Sequence, residues 1–207
     1  MTDPRTALVA AGYDAMIDTW EAWKAAIEDD PRADWCGELL DRLPEGARVV
    51  ELGCGGGTTE TRALASRFRL TGVDLSDAQL ARARERVPAA EYIHADLTTV
   101  EFAAQTVDAV ASFYVFNHVP RELLAPLLER IHTWLRPGGL LLATLGASDV
   151  PGWTGDFLGA PSYFSGYPAE TNRRLLAAAG LTLLRDELVR IREPEADATF
   201  HWILGQR

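Results

Sequence analysis

The chain has 207 residues and carries 20 Lys and Arg against 30 Asp and Glu, a formal net charge of −10. That length suits one domain with a full core, and a mixture of 47% apolar and 24% charged residues excludes global disorder. The acidic balance argues against a nucleic-acid partner, which needs excess cations to neutralise phosphates, and no apolar run approaches the ~18 residues that span a bilayer.

The opening MTDPRTALVAAG lacks the basic and then apolar pattern of a secretory leader. Two cysteines, Cys36 and Cys54, are too few for a disulfide framework, so the expected compartment is the reducing cytoplasm. The first 45 residues are helical in pattern. Met16, Trp20, Trp23 and Ile27 fall three and four apart, on one helix face. A second short helix is expected over 35–43, stopped by Pro44-Glu45-Gly46.

From residue 47 the texture alternates between strand and helix. ARVVELG reads as a buried strand, and 59–68 as a helix with Ala63, Leu64 and Phe68 inward. RLTGVDL is a second strand. Ser76 and Gln79 have the spacing of a capping box and open a helix that stops before Pro88. EYIHADL and TVDAVASFY read as strands three and four, followed by a helix over 121–135. Pro137-Gly138-Gly139 then turns into a fifth strand, GLLLATL. Apolar strands alternating with helices indicate a parallel sheet covered on both faces.

Residues 147–168 hold Trp153, Phe157, Tyr163, Phe164 and Tyr167 among Gly and Pro. A loop of that length in a compact domain is either functional or misassigned; it reads as a lid, with a satellite core beneath a long loop as the alternative for its aromatics. A helix over 168–179 is closed by Gly180. Two final strands, with Glu193-Pro194-Glu195 between them, read as a hairpin.

The strongest local signal is a strand running into Gly53, Gly55 and Gly57, with a helix beyond. Glycines there allow a tight turn and close approach of a ligand to the main chain. Asp74 ends strand two, where an acid can accept two hydrogen bonds from a ribose diol. Asp96 follows strand three. The dinucleotide pattern G-x-G-x-x-G would need Gly at position 58, which is Thr.

Together these segments resemble the class I S-adenosylmethionine-dependent methyltransferases. Glu51-Leu52-Gly53-Cys54-Gly55-Gly56-Gly57 is similar to their first motif, Ala95-Asp96-Leu97 to their adenine-binding segment, and Val107-Asp108-Ala109-Val110 through His118 to their fourth motif. Leu135-Arg136-Pro137-Gly138-Gly139 is similar to their turn into strand five. The resemblance implies a Rossmann-like α/β fold: a seven-stranded, mostly parallel sheet of order 3-2-1-4-5-7-6 with strand seven antiparallel, under an N-terminal helical cap. As a single domain, 1–207 divides into the cap (1–45), the cofactor-binding core (46–146), the lid (147–168) and a C-terminal helix and hairpin (169–207).

The cofactor implied is S-adenosyl-L-methionine. Glu51 would offset the charge near its amino group. Gly53, Cys54 and Gly55 would pack on the methionyl tail, and Asp74 and Leu75 would hold the ribose. Asp96 and Leu97 would meet the adenine, with Phe113 and Tyr13 as further contacts.

His118 is the candidate base, or else a hydrogen-bond partner that positions the acceptor's nucleophile, since it follows strand four beside the methyl donor and has an ordinary pKa near neutrality. Asn117, Trp153 and Tyr163 are candidate contacts for an aromatic or apolar acceptor with an O, S or N nucleophile. No CxxC pair or His/Cys cluster suggests a metal. The expected partner is a small-molecule acceptor, with no nucleic acid and no membrane, and the expected assembly is a monomer or homodimer. A protein of this fold that binds the cofactor without transferring methyl, as a non-methylating catalyst or regulatory subunit, is the alternative.

Overall fold

The computed structural model describes residues 3–207, so the first two residues of the expected cap lie outside the described residues. Helix α1 (Pro4–Ala15) opens where the Asp3 side chain accepts from the Arg5 N–H, with Pro4 at the first helical position. The chain then breaks at Met16, whose φ and ψ are −100° and 14°, and restarts as α2 (Ile17–Ala25). The single stripe expected from Met16 to Ile27 is therefore divided. Met16 is buried, Trp20 and Trp23 sit on the second helix, and Ile27 lies beyond its end. Helix α3 is Arg32–Arg42.

The strands β1 (Arg48–Leu52), β2 (Arg69–Asp74), β3 (Glu91–His94), β4 (Val107–Ser112) and β5 (Leu135–Gly146) run parallel. Between them stand α4 (Thr59–Arg67), α5 (Asp77–Arg86) and α6 (Arg121–Trp134). Next come β6 (Val150–Phe157), β7 (Ala160–Gly166), α7 (Ala169–Ala178), β8 (Thr182–Arg192) and β9 (Asp197–Gln206). The main sheet has seven strands in the order β3-β2-β1-β4-β5-β9-β8, and β9 is antiparallel to both neighbours. This is the expected topology, with β8 and β9 as its sixth and seventh strands.

The sheet is covered on both faces. On one, Leu124, Leu127, Leu128 and Ile131 of α6 and Leu176 of α7 pack on Val50, Val110, Leu141 and Ile203. On the other, Trp35 and Leu39 of α3 and Leu64 of α4 pack on Val49, Ala109, Leu142 and Trp202. Successive strand residues thus serve opposite cores, which is why β4 is buried along its whole length.

Residues 150–166 are not the structureless lid their composition suggested. They form a hairpin, β6 against β7, as a separate two-stranded sheet. Its turn is Leu158-Gly159, both at positive φ (55° and 84°), as a two-residue type I′ turn requires. That turn ordinarily carries Asn or Asp before Gly, so Leu-Gly gave no hairpin signal. Among the described residues no helix is long and apolar enough to cross a membrane.

Candidate active site

A cavity of 530 Å³ opens at the carboxyl ends of the parallel strands, roofed by α1, α2, the β6–β7 hairpin and the β8–β9 turn. Open α/β sheets bind ligands at this edge.

The floor is the loop after β1. Gly53 and Gly55 take φ of 70° and 54°. A Cβ on Gly53 would stand 2.2 Å from Val115 Cγ2, so both the backbone and the neighbour require glycine. The N–H groups of Gly53 and Cys54 donate to the Val73 carbonyl (2.7 and 3.2 Å), pinning the loop to β2. Asp74 Oδ2 accepts the Gly55 N–H (2.8 Å) and Oδ1 the Ser76 N–H (2.9 Å). Burial raises the Asp74 carboxyl above its usual range, and these N–H bonds oppose the rise.

Asp96 ties the cap to the core. Its Oδ2 accepts from the Thr6 hydroxyl of α1 (2.8 Å), and Oδ1 accepts from the Thr98 N–H and hydroxyl (2.8 and 2.7 Å).

Glu51 lies behind the loop, 2% exposed. Its Oε1 accepts from Thr61 (3.1 Å), while Oε2 is buried without a partner. Burial pushes this carboxyl up to about 8, against the Thr61 hydrogen bond, which lowers it.

The roof is aromatic. Trp20 stacks on Trp23 (centroids 5.3 Å, planes 22° apart), and Tyr13 meets Trp20 edge-on at 5.3 Å. Phe157 and Phe164 bring the hairpin onto the same cavity. His118 sits between cap and hairpin, 8% exposed. Its Nδ1 is 2.8 Å from the Tyr163 carbonyl and its Nε2 is 3.0 Å from the Tyr13 hydroxyl. A carbonyl can only accept, so Nδ1 carries the proton and Nε2 accepts from Tyr13. Burial lowers His118 to about 4, although the Tyr163 carbonyl raises it.

Of the residues expected from sequence, Gly53, Gly55, Asp74, Leu75, Asp96 and Leu97 line the cavity on the sheet side. Tyr13, Phe113, Asn117 and His118 line it opposite. Four expected residues do not. Glu51 is behind the floor. The Cys54 side chain points away, over Gly72, where a Cβ would come within 2.8 Å of its Sγ. Tyr163 and Phe164 are successive strand residues and face opposite ways. Phe164 takes the cavity, and Tyr163 turns out under the Arg5 guanidinium, 5.5 Å from its ring centroid. Trp153 lies outside on β6, 45% exposed, its indole folded over Gly155.

The wall also holds residues that sequence reasoning did not assign. Gln79 lines it with a buried, unpartnered Oε1, like the Oδ1 of the expected Asn117. Lys24, Arg32, Tyr114 and Glu193 line it as well. Lys24 carried one unused signal: it is the sole lysine among 20 cationic side chains.

A family model described as a methyltransferase domain matches residues 49–139. The trans-aconitate 2-methyltransferase of Variovorax paradoxus is 41% identical over 127 residues, covering 58% of this chain and 48% of that protein. The chain spans about half the length of the curated relatives it matches. In fold it resembles the Burkholderia thailandensis 1,6-didemethyltoxoflavin-N1-methyltransferase, solved with bound 1,6-didemethyltoxoflavin and S-adenosylhomocysteine. The TM-score is 0.75 at 20% identity, over 100% of this chain and 91% of that one. The [4+2]-cyclase SpnF shares the fold too, with a TM-score of 0.71 at 18% identity over 96% and 94% of the two chains. Strand order, glycine loop and the methyltransferase-domain match agree, and the chain is similar to the class I S-adenosylmethionine-dependent methyltransferases.

Proposed function

We propose that this chain transfers a methyl group from S-adenosylmethionine to a small molecule enclosed beneath the cap. One observation carries the reading: a single cavity joins the crevice of Gly53, Gly55, Asp74 and Asp96 to an aromatic chamber roofed by separate segments. The residues present suit the cofactor. Asp74 stands where a ribose diol can donate to it, Asp96 offers an acceptor at the end of β3, and Leu75, Leu97 and Phe113 supply apolar surface for a base. The orphaned Glu51 oxygen behind the floor has no partner, and in this reading it offsets the charge of an ammonium group in the cavity through water rather than by direct contact.

When bound, the cofactor supplies an activated methyl on a sulfonium, so the protein's main contribution is proximity and alignment. The roof excludes water and holds the acceptor. His118 is neutral and bonded through both ring nitrogens, and a base with a conjugate acid near 4 is a poor match for a phenol or alcohol. Its role in this reading is to hold the Tyr13 hydroxyl toward the acceptor, a positioning role rather than that of the base, one of the two roles expected from sequence.

Calorimetry should show binding of S-adenosylhomocysteine and none of NAD. Labelled methyl from S-adenosylmethionine should then appear in a low-molecular-mass product of cell extract. Cofactor binding without any labelled product would favour the non-methylating alternative, and SpnF shows that the fold alone does not decide between them.

A further inference from the structure

Every charge on the cavity wall has a partner except one. Lys24 Nζ stands 3.7 Å from Glu21, and Arg32 pairs with Asp30 at 2.8 Å. Asp74 and Asp96 accept the hydrogen bonds described above. Asp197 pairs with Arg190. Glu193, just beyond β8, is half-buried and faces the same cavity. Among the described residues its carboxylate makes no ion pair and accepts no hydrogen bond. Its backbone N–H alone is engaged, donating to the Ala196 carbonyl at 3.0 Å.

The position is fixed from outside the cavity. Trp23 Nε1 donates to Glu195 (2.7 Å), and residue 28 forms a β-bridge with Arg192. These contacts draw the β8–β9 turn against the cap. Burial raises the hydroxyls of Tyr13 and Tyr114, and the charge of Glu193 adds to the rise in both. The carboxylate therefore acts electrostatically on rings that line the chamber.

An uncompensated carboxylate among Tyr13, Trp20, Trp23, Tyr114 and Phe200 is suited to a cation. The carboxylate supplies the counter-charge, and aromatic faces attract positive charge. We propose that the methyl acceptor is a small amine that enters as its ammonium ion, with Glu193 as its counter-ion and proton acceptor. This rests on the methyl-transfer reading above.

The step balances. An ammonium N–H gives its proton to a Glu193 carboxylate oxygen, which frees the nitrogen lone pair. That pair forms the new N–C bond as the S–C bond of the donor breaks and its electrons pass to sulfur. The product leaves as a methylated ammonium, and Glu193 returns its proton to water. A polycarboxylate such as trans-aconitate would face the reverse situation. The wall has four carboxylates and two cations, both cations are engaged, and the uncommitted charge has the wrong sign.

The test uses the protein loaded with S-adenosylhomocysteine, titrated with 2-phenylethylamine, with 3-phenylpropanoate as its anionic counterpart, and with trans-aconitate. The amine should bind at least tenfold more tightly than either acid. Glu193→Gln should weaken the amine tenfold or more while leaving S-adenosylhomocysteine affinity within twofold and the melting temperature unchanged. Equal affinities, or an acid binding more tightly, would overturn the proposal. So would a Glu193→Gln protein that loses affinity for S-adenosylmethionine but not for S-adenosylhomocysteine, because Glu193 would then serve the donor's own cation. Failure of the wild-type protein to bind either sulfur nucleoside would instead overturn the methyl-transfer reading.

Discussion

The Glu51 carboxyl is buried with one oxygen bonded to Thr61 and one bonded to nothing. Its folded pKa of about 8 lies above the ordinary 4.5, so the native state holds a proton that the unfolded chain releases. The penalty is absent below pH 4.5, grows through the interval, and is complete above about 8. Glu51→Gln should therefore stabilise the free protein at pH 8.5, by ~1–3 kcal/mol, while weakening cofactor binding. Wild-type protein should release protons on binding S-adenosylhomocysteine at pH 7. Calorimetry in buffers of different ionisation enthalpy checks this, and the absence of proton release would remove Glu51 from the binding site. Asp74 makes a second prediction at this scale. Its carboxylate sits at an open strand end, so Asp74→Ala should leave the fold intact. Cofactor affinity should fall by about 1.5–3 kcal/mol for each charge-assisted hydrogen bond lost, roughly ten- to a hundredfold each.

At the scale of elements, the roof depends on two contacts. Helix α1 lies so close to the hairpin that a Cβ on Gly12 would stand 2.4 Å from the Pro161 carbonyl oxygen. Gly12→Val should force the two apart at a cost of ~1–3 kcal/mol, read as a lower urea midpoint and faster amide exchange in α1 and β7. The root of the hairpin is held by Asn172 of α7. Its Nδ2 donates to the carbonyls of Gly146 (2.8 Å) and Tyr167 (3.3 Å), which flank the hairpin in sequence. His201 stands beside the amide, its Nδ1 3.3 Å from Nδ2 and its Nε2 2.8 Å from Asp186. Nε2 keeps its proton and donates it in a hydrogen bond to the Asp186 carboxylate, so Nδ1 faces Asn172 as an acceptor. Asn172→Ala leaves two carbonyls without this donor, and ~1–3 kcal/mol of local stability should be lost. Exchange should quicken through 147–166 while the parallel strands keep their protection.

At the scale of the molecule, three segments far apart in sequence close over one cavity. Charged pairs join α2 to α5, Arg82 with Asp18 and Arg86 with Glu21. Exposed pairs of this kind contribute about 0–1 kcal/mol each, far less than the packing on the two faces of the sheet. The roof should therefore open well below the global unfolding free energy. S-adenosylhomocysteine should slow amide exchange in α1, α2, the hairpin and the β8–β9 turn together. Protection confined to the glycine loop would show that the roof does not close on the ligand.

The parallel sheet and the cofactor crevice were readable because each depends on local pattern. Apolar runs mark the strands, Gly53, Gly55 and Gly57 mark a turn only glycine makes easily, and Asp74 and Asp96 follow strands whose ends are evident. Right-handed β-α connections then bring those ends to one edge. The direction of individual side chains needed the tertiary structure. Glu51 and Cys54 belong to the glycine motif, yet strand register and the path of the loop turn both away from the cavity. Tyr163 and Phe164 differ by one residue and so by one face of a strand, and nothing in their order says which face the cavity takes. The hairpin escaped notice because Leu158 occupies a position usually given to Asn or Asp. Glu193 shares the cavity wall with Tyr13 only because β8 and β9 join the far edge of the sheet and their turn folds back against the cap. A wall shared by the two ends of the chain follows from topology and packing together, and neither is written in the residues on either side of it.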